Sequence, residues 1–470
     1  MPGLKTNLFY SILLVLANYV FPFMTYPYVS RLLGVDGIGA CNFVDSVINY
    51  FILFSALGID SLGVREIARH KGDRESLDRT FSNIFLVNLT LTGAMLMLLV
   101  VLTFAVPQFA AHKDLMFIGA FKLLFNCLLV EWFYKGLEDF KLITLRSIVV
   151  KTLYVVSVFL FVRQREDIWI YYLLSCLMVV VNALVNICFA RGRVRISLSG
   201  FDFAGTFNSL LAIGVYSILT SMYTTFNVLF LGFISGDTEV GLYSNATKIY
   251  YMVMAVFTAF TSVMIPRMSE LVSEGAMDKF KDYFHTAVDI LFSFSFPLII
   301  WMMALAPEII RIIAGSEFGG SVPPMIIIAP LVFIIGYEQI LVLQTLLPLG
   351  KDRILLRNSL IGAVTGLILN IVFVPLLSSV GSAIVWIVTE TLILVLSQLA
   401  VTREVDIRFP LRTTLKNFAV YLPLAALVAA CCLIPAHGTA RLAASVIVVG
   451  IYVAVYQLLI RKGELLVRLR

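Results

Sequence analysis

Apolar runs of some twenty residues, each nearly free of charge, recur from one end of this chain to the other. The first reads "LFYSILLVLANYVFPFMTYPYV" from Leu8 to Val29. A run of about 18 or more such residues is long enough to cross a bilayer as a helix. Inside hydrocarbon every backbone polar group must be satisfied within the segment, which excludes isolated strands. Barrel strands would alternate apolar and polar residues in shorter segments. Composition agrees. Charged residues make up 14% of the chain, against roughly 25% in soluble proteins. The chain reads as an all-α polytopic membrane protein.

About fourteen transmembrane helices are expected, the first over 8–30 and the last over 442–460. The positive-inside rule orients them. With a cytoplasmic N-terminus, 27 of the 35 Lys and Arg residues fall on inner segments such as "VREIARHKGDRESLDR", "KGLEDFKLITLR" and "RKGELLVRLR". Six lie on outer loops: Arg31, Lys113, Arg163, Arg165, Arg311 and Arg441. Lys122 and Lys248 lie inside spans. Both termini are then cytoplasmic, and the basic excess is topological, with no nucleic-acid partner implied. Trp169 and Trp301 near outer boundaries and Trp132 near an inner one suit an aromatic belt. The first run lacks a small-x-small cleavage site and reads as a retained span.

Short outer loops leave little room for a catalytic domain, and no G-x-x-x-x-G-K-[ST] phosphate loop occurs. The chain does not read as an enzyme, and no cofactor or metal is expected. The six cysteines sit in apolar runs without metal-ligand spacing. The four histidines are given no role.

Two stretches echo each other. "GVDGIGACNFVDSVINYF…GVREIAR" begins at Gly34, and "SGDTEVGLYSNATKIYYM…IPRMSEL" begins at Ser235. Gly39 and Gly241 are 202 residues apart, and so are Arg65 and Arg267. A second echo joins "KGLEDFKLITLRS" to "LGKDRILLRNS". Six spans separate the copies, so the copies share an orientation, as in transporters with parallel repeats. The expected plan is an N-lobe over 1–190, a linker over 191–207 and a C-lobe over 208–401. A second linker at 402–417 and two further helices with a tail over 418–470 follow. The two six-helix lobes would be pseudo-symmetric around a central cavity.

Charges inside spans are expensive and mark function by default. Lys122, Lys248 and Asp45 fall at one depth in the outer half. Asn42, Asp45, Ser46 and Asn49 follow i, i+3, i+4, i+7 and form one polar stripe. Ser244, Asn245 and Lys248 form a second polar group. Each lysine could snorkel to the interface, and Asp45 could form a structural ion pair. The functional alternative is a hydrated cationic cavity for an anionic substrate. Glu390 shares a helical face with Ser382, Thr389 and Ser397. It reads either as a coupling carboxylate for Na⁺ or H⁺ or as a packing contact. Glu338 and Asp289 are assigned to packing or the interface.

Several of these segments carry a resemblance. "PYVSRLLGVDGIGACNFVDSVINYF", "GIDSLGVREIAR", "EWFYKGLEDF", "VGLYSNATKI", "IPRMSE" and "LPLGKDR" resemble the bacterial polysaccharide transport family. These are the O-antigen (Wzx-type) flippases of the multidrug/oligosaccharidyl-lipid/polysaccharide exporter superfamily. The resemblance implies an undecaprenyl-pyrophosphate-linked oligosaccharide as substrate. It implies passage from the cytoplasmic to the periplasmic leaflet of the bacterial inner membrane by alternating access, driven by a Na⁺ or H⁺ gradient. Membrane lipids and the polysaccharide polymerase and assembly machinery are the implied partners. A more distant resemblance to lipid II flippases places Arg31, Asp45 and Lys248 at cavity-lining positions, and Asn227, Asn370 and Glu390 near a cation site. Here the chain departs from its relatives, reading "YTTFN" with Asn227 where many have an aspartate. With Lys122, these residues are the expected pyrophosphate site (Arg31, Lys122, Lys248), its polar surround (Asn42, Asp45, Asn49, Asn245) and the coupling candidates. The rival expectation is a multidrug or organic-cation antiporter of the same superfamily, whose cavity would be dominated by acids.

Overall fold

The computed structural model describes residues 4–197, 200–433 and 438–456, and all regular structure among them is helical. The chain divides into two compact units, Met1–Gly241 and Leu242–Arg470. Unit one holds α1 (Leu4–Ala56), α2 (Ile59–His70), α3 (Arg74–Ala105), α4 (Pro107–Ala111), α5 (Lys113–Asn126), α6 (Glu131–Gly136), α7 (Phe140–Phe161), α8 (Ile168–Ala190), α9 (Phe203–Thr224) and the start of α10 (Phe226–Ser273). Unit two holds the rest of α10, then α11 (Met277–Ala304), α12 (Ala306–Ile313), α13 (Val322–Ile328), α14 (Leu331–Leu341), α15 (Asp352–Val405), α16 (Leu411–Leu433) and α17 (Gly438–Val455). Residues 203–241 belong to unit one. A Cβ at Gly214 on α9, for example, would lie 2.9 Å from the Leu57 backbone.

This is a multi-pass membrane protein. Eleven of the described helices are long and apolar enough to cross a bilayer, or twelve if the bent pair Ser316–Ile328 and Leu331–Leu346 is one span. Three helices, α1, α10 and α15, are too long for a single straight crossing. The 53 residues of α1 extend about 80 Å at 1.5 Å per residue, against a hydrocarbon core of about 30 Å. The 54 residues of α15 present the same excess. The expectation of fourteen spans counts α1 and α15 as two crossings each, and divides α10 between the end of one span and the whole of the next.

All three long helices carry one residue of non-helical backbone, near the middle in α1 and α15 and in the first quarter of α10. In α1 the break is Gly34, at φ 71° and ψ −180°, a conformation open to glycine and strained for other residues. In α10 the break is Gly236, at φ 79° and ψ −174°. These two glycines are also 202 residues apart, so the offset of the sequence echo reappears in the backbone. The break in α15 falls on Ser378, at φ 49° and ψ −123°. A non-glycine residue held there costs of order 1–3 kcal/mol. Ser378→Gly is therefore expected to raise the melting temperature of the purified protein. Ser378→Val, which adds a β-branch to the strain, should lower it by several degrees.

The segment "VREIARHKGDRESLDR" contains an amphipathic helix rather than a plain loop. Ile59, Leu62 and Ile67 of α2 are buried, while Asp60, Arg65 and Arg69 face outward. Two glycines let α2 close on α6. A Cβ at Gly63 would lie 2.6 Å from the Trp132 ring, and one at Gly136 would lie 2.7 Å from Ile67 Cβ. Trp132 is 3% exposed and stacks on Phe81 with ring centroids 5.4 Å apart. It is a core residue and not part of the aromatic belt, because the short α6 folds back into the unit. Trp169 is half exposed.

Candidate functional site

The polar stripe on the second half of α1 meets a lysine from α5. Lys122 Nζ donates to Asp45 Oδ1 at 2.6 Å and to Asn49 Oδ1 at 2.9 Å. Asn49 Nδ2 donates to Asp45 Oδ2 at 3.1 Å. From α8, the buried Tyr172 hydroxyl approaches Asp45 Oδ1 at 3.5 Å. Gly119, one turn before Lys122, makes the approach of α5 possible. A Cβ there would lie 2.5 Å from Ile48 Cγ1 and 3.0 Å from the Tyr172 hydroxyl. The pairing is incomplete in one respect. The Lys122 side chain is 16% exposed, but that of Asp45 is 36% exposed. The carboxylate therefore neutralises the ammonium while staying open to exchange. Asn42 lies one turn earlier on the same stripe and is half-buried.

The other expected anion-site residues are placed separately. Arg31 is exposed, three residues before the Gly34 break. Lys248 is half-buried on α10 in unit two, with Ser244 and Asn245 buried beside it. The coupling candidates divide in the same way. Asn227 is fully buried in the first turn of α10, in unit one. Asn370 and Glu390 are buried on α15, in unit two. The Asn370 amide donates to the carbonyl of Gly366 on its own helix at 2.8 Å. Trp386 Nε1 donates to Glu390 Oε1 at 3.0 Å. The Glu390 carboxyl also faces that of Glu338 on α14, close enough for the two acids to influence each other. Glu338, assigned to packing from sequence, is thus half of an acid pair. Among the described residues no three His, Cys, Asp or Glu side chains gather to hold a metal.

A second feature of unit one involves the echoed segments directly. The start of the second half of α1 crosses the residues after the Gly236 break. A Cβ at Gly39 would lie 1.8 Å from the carbonyl oxygen of Asp237, and one at Gly241 would lie 2.3 Å from that of Val35. Adding 202 to Val35 and Gly39 gives Asp237 and Gly241, so exchanging the copies converts one contact into the other. The crossing has a local pseudo-two-fold axis. Its centre carries another pair at the same offset, with Thr238 Oγ1 donating to Asp36 Oδ1 at 2.6 Å. His112 Nε2 lies 3.2 Å from Asp237 Oδ2 at its flank.

Comparison with known proteins gives these features a context. A family model described as polysaccharide biosynthesis protein matches residues 4–272, more than half of the chain, including both copies of the crossing. The chain belongs to the polysaccharide biosynthesis protein family. A protein of Escherichia coli (strain K12) named for O-antigen transport is 24% identical over 402 residues, covering 83% of this chain and 95% of its own. A Haloferax volcanii protein named as a low-salt glycan biosynthesis flippase, Agl15, is 22% identical over 205 residues, 43% of each chain. Among solved structures, the lipid II flippase MurJ in an inward closed conformation has a TM-score of 0.76 at 13% identity, covering 96% of this chain and 98% of that one. An inward-facing multidrug resistance transporter of the MATE family has a TM-score of 0.65 at 16% identity, covering 82% and 94%. These two likenesses show a shared fold.

This member of the polysaccharide biosynthesis family also buries two cations that sequence reasoning counted with the inner flank. Arg146, its side chain 5% exposed, donates to Glu131 Oε1 at 2.9 Å and to the carbonyl of Asn182 at 3.4 Å. Lys151 is 7% exposed and donates to Asn18 Oδ1 on α1. Three contacts align α1 and α7 in parallel: Tyr10 with Thr144, Asn18 with Lys151, and Tyr28 with Val162. Lys151 is the twelfth of the 22 residues of α7, close to mid-span. The signal was available. Lys151 stands between "SIVV" and "TLYVV", five residues inside the fifth expected span, and should have been counted with Lys122 and Lys248.

Proposed function

We propose that this protein is a flippase that moves an undecaprenyl-pyrophosphate-linked oligosaccharide from the cytoplasmic to the periplasmic leaflet of a bacterial inner membrane, for surface polysaccharide synthesis. The observation that carries the proposal is Lys122 held at 2.6 Å by a carboxylate that stays open to exchange. An arriving diphosphate presents more negative charge and more acceptor oxygens than Asp45 does. It can take over the ammonium, while the polyprenyl chain remains in lipid. Arg31 and Lys248 are assigned the same attraction for phosphate, each from its own place in the fold. The relatives named for O-antigen transport and glycan flipping support this class of cargo. A multidrug or organic-cation antiporter is the weaker reading. Its cargo would be repelled by Lys122, and an acid already neutralised by a lysine offers it little.

Movement of the cargo requires the two sides to open in turn. The glycine crossing at Gly39 and Gly241 is the proposed closure on one side. Its small residues permit close contact, and its few polar bonds permit release. The Glu338–Glu390 pair is the proposed coupling element, because two neighbouring buried carboxyls can take up or release one proton between them, changing the net charge of the pair by one. Polysaccharide polymerase or assembly proteins would take over the cargo afterwards.

The test is deletion of the gene in its host. The lipid-linked oligosaccharide should accumulate on the inner leaflet and surface polysaccharide should fall. Normal polysaccharide, with resistance to a cationic drug lost instead, would replace this reading with the antiporter. For coupling, Glu390→Gln and Glu338→Gln should each cut gradient-driven export about tenfold at matched protein levels, while counterflow of labelled cargo continues without a gradient. Unchanged gradient-driven export in both variants would remove the pair from the mechanism.

A further inference from the structure

The end of unit one where α3 begins carries a polar pocket of about 640 Å³ that the flippase reading does not use. Arg74 and Arg79 reach it from the first turns of α3, and Arg195 from the segment after α8. That segment is fastened to α3 through its backbone. The Arg195 N–H donates to Asp78 Oδ1 at 2.9 Å, the Ser197 N–H to Ser82 Oγ at 2.9 Å, and the Asp202 N–H to Asn83 Oδ1 at 3.3 Å. The pocket is thus held by main-chain bonds that leave the three guanidinium groups unspent.

Charge accounting favours an anion. Three arginines face two acids, Glu75 and Asp78. Asp78 is already committed to the Arg195 amide, and Glu75 shares the first turn of α3 with Arg74. Among the described residues, no ion pair engages Arg74, Arg79 or Arg195. Gly200, at φ 71°, completes the wall. A Cβ there would lie 3.0 Å from the Arg79 guanidinium, so glycine lets that group lie across the opening. Guanidinium forks match phosphate oxygens in pairs. The location suits a phosphate at headgroup level, because α3 runs from this pocket directly into an apolar span. Basic pockets at the ends of membrane helices bind anionic headgroups.

We propose that this pocket is a phosphate-binding site at the membrane surface, separate from the Lys122–Asp45 site and read by Arg74, Arg79 and Arg195. The phosphate could belong to an anionic phospholipid or to a polyprenyl diphosphate, and the experiment separates the two. The full-length protein in detergent is titrated with phosphatidylglycerol, cardiolipin, undecaprenyl diphosphate or phosphatidylcholine, with bound lipid read by native mass spectrometry. Phosphatidylglycerol or cardiolipin should bind at least fivefold more tightly than phosphatidylcholine if the site serves headgroups. Undecaprenyl diphosphate alone should show that preference if it serves the cargo. For the headgroup lipids Arg79→Gln/Arg195→Gln should remove the preference and Lys122→Ala should leave it intact, while undecaprenyl diphosphate is compared in the Lys122→Ala background, where the cargo site is disabled and adding Arg79→Gln/Arg195→Gln should remove the preference that remains. These arginines are exposed, so folding should survive, and a monodisperse elution profile checks that. A single Arg74→Gln variant gives a second measure, with an expected loss of about threefold. Equal binding of phosphatidylcholine, or an unaltered preference in the double variant, overturns the proposal. Failure of Lys122→Ala to affect export would undo the flippase reading and leave this site standing.

Discussion

Gly39→Ala is expected to reduce export at least tenfold, and Gly241→Ala to reduce it by a similar factor. The added methyl at residue 39 would begin 1.8 Å from a carbonyl oxygen, and the one at residue 241 would begin 2.3 Å from another. Neither obstacle is the end of a flexible side chain. The crossing must open by more than about 1 Å before ordinary contact is restored, and overpacking of this kind costs about 1–3 kcal/mol. A cost of 1.4 kcal/mol changes a population tenfold, so the closed crossing should become scarce. A disulfide between Asp36→Cys and Thr238→Cys, whose native side chains meet at 2.6 Å, reports the closed form. Its yield should be high with both glycines present and should fall about tenfold with Gly39→Ala. Two neighbouring glycines serve as controls. Gly37→Ala would meet the tip of Ile168 at 3.0 Å, which can turn aside, so the loss should be small. Gly236→Ala meets nothing within 4 Å, but its φ of 79° strains the backbone. It should cost stability without blocking the crossing sterically. The two alanine variants should not add when combined, because they act on one contact. Wild-type disulfide yield in Gly39→Ala would mean that the crossing does not depend on this glycine.

The class of fold and several pieces of the site were open to reading from the chain alone, for a simple physical reason. A bilayer forces apolar length onto each crossing, so the helices announce themselves. The polar stripe at Asn42, Asp45, Ser46 and Asn49 follows helical spacing, and an acid in a span needs a cation, so its pairing with a lysine was foreseeable. What sequence could not supply was which lysine. Lys122 and Lys248 stand at similar depths, and the closeness permitted by Gly119 selected Lys122. Lys151 was missed because basic residues near a boundary were credited to the flank by the same rule that oriented the chain. Trp132 was misplaced because a short helix at a span end can turn inward, which composition does not register. Glu338 became chemically interesting only through its neighbour on another helix. The repeat was legible as an offset of 202, yet its use was not. Spacing along the chain does not say that the two copies lie against each other at Gly39 and Gly241.

Lys122→Ala is expected to lower export at least twentyfold per folded molecule, whereas Asp45→Asn should retain half or more. A purely structural ion pair predicts no such asymmetry. Removing either partner of a buried pair strands the other and can cost 3–5 kcal/mol. Here the exposure of Asp45, at 36%, brings that down to about 1–2 kcal/mol through solvent screening, and the penalty would fall on either variant. Export would then follow the amount of folded protein in both. The flippase reading separates them. Without Lys122, Asp45 keeps its negative charge beside Asn49 and Tyr172 and repels a diphosphate. With Asn at position 45, the ammonium keeps its hydrogen bond to Asn49 and has no carboxylate to release before it meets the cargo. Lys122→Met/Asp45→Asn completes the comparison. Removing both charges should restore thermal stability to within about 1 kcal/mol of wild type while export stays as low as in Lys122→Ala. Stability and export measured on the same four proteins therefore distinguish an ion pair that holds two helices together from one that gives way to a phosphate. If the doubly neutral variant exports at the wild-type rate, Lys122 has no part in handling the cargo.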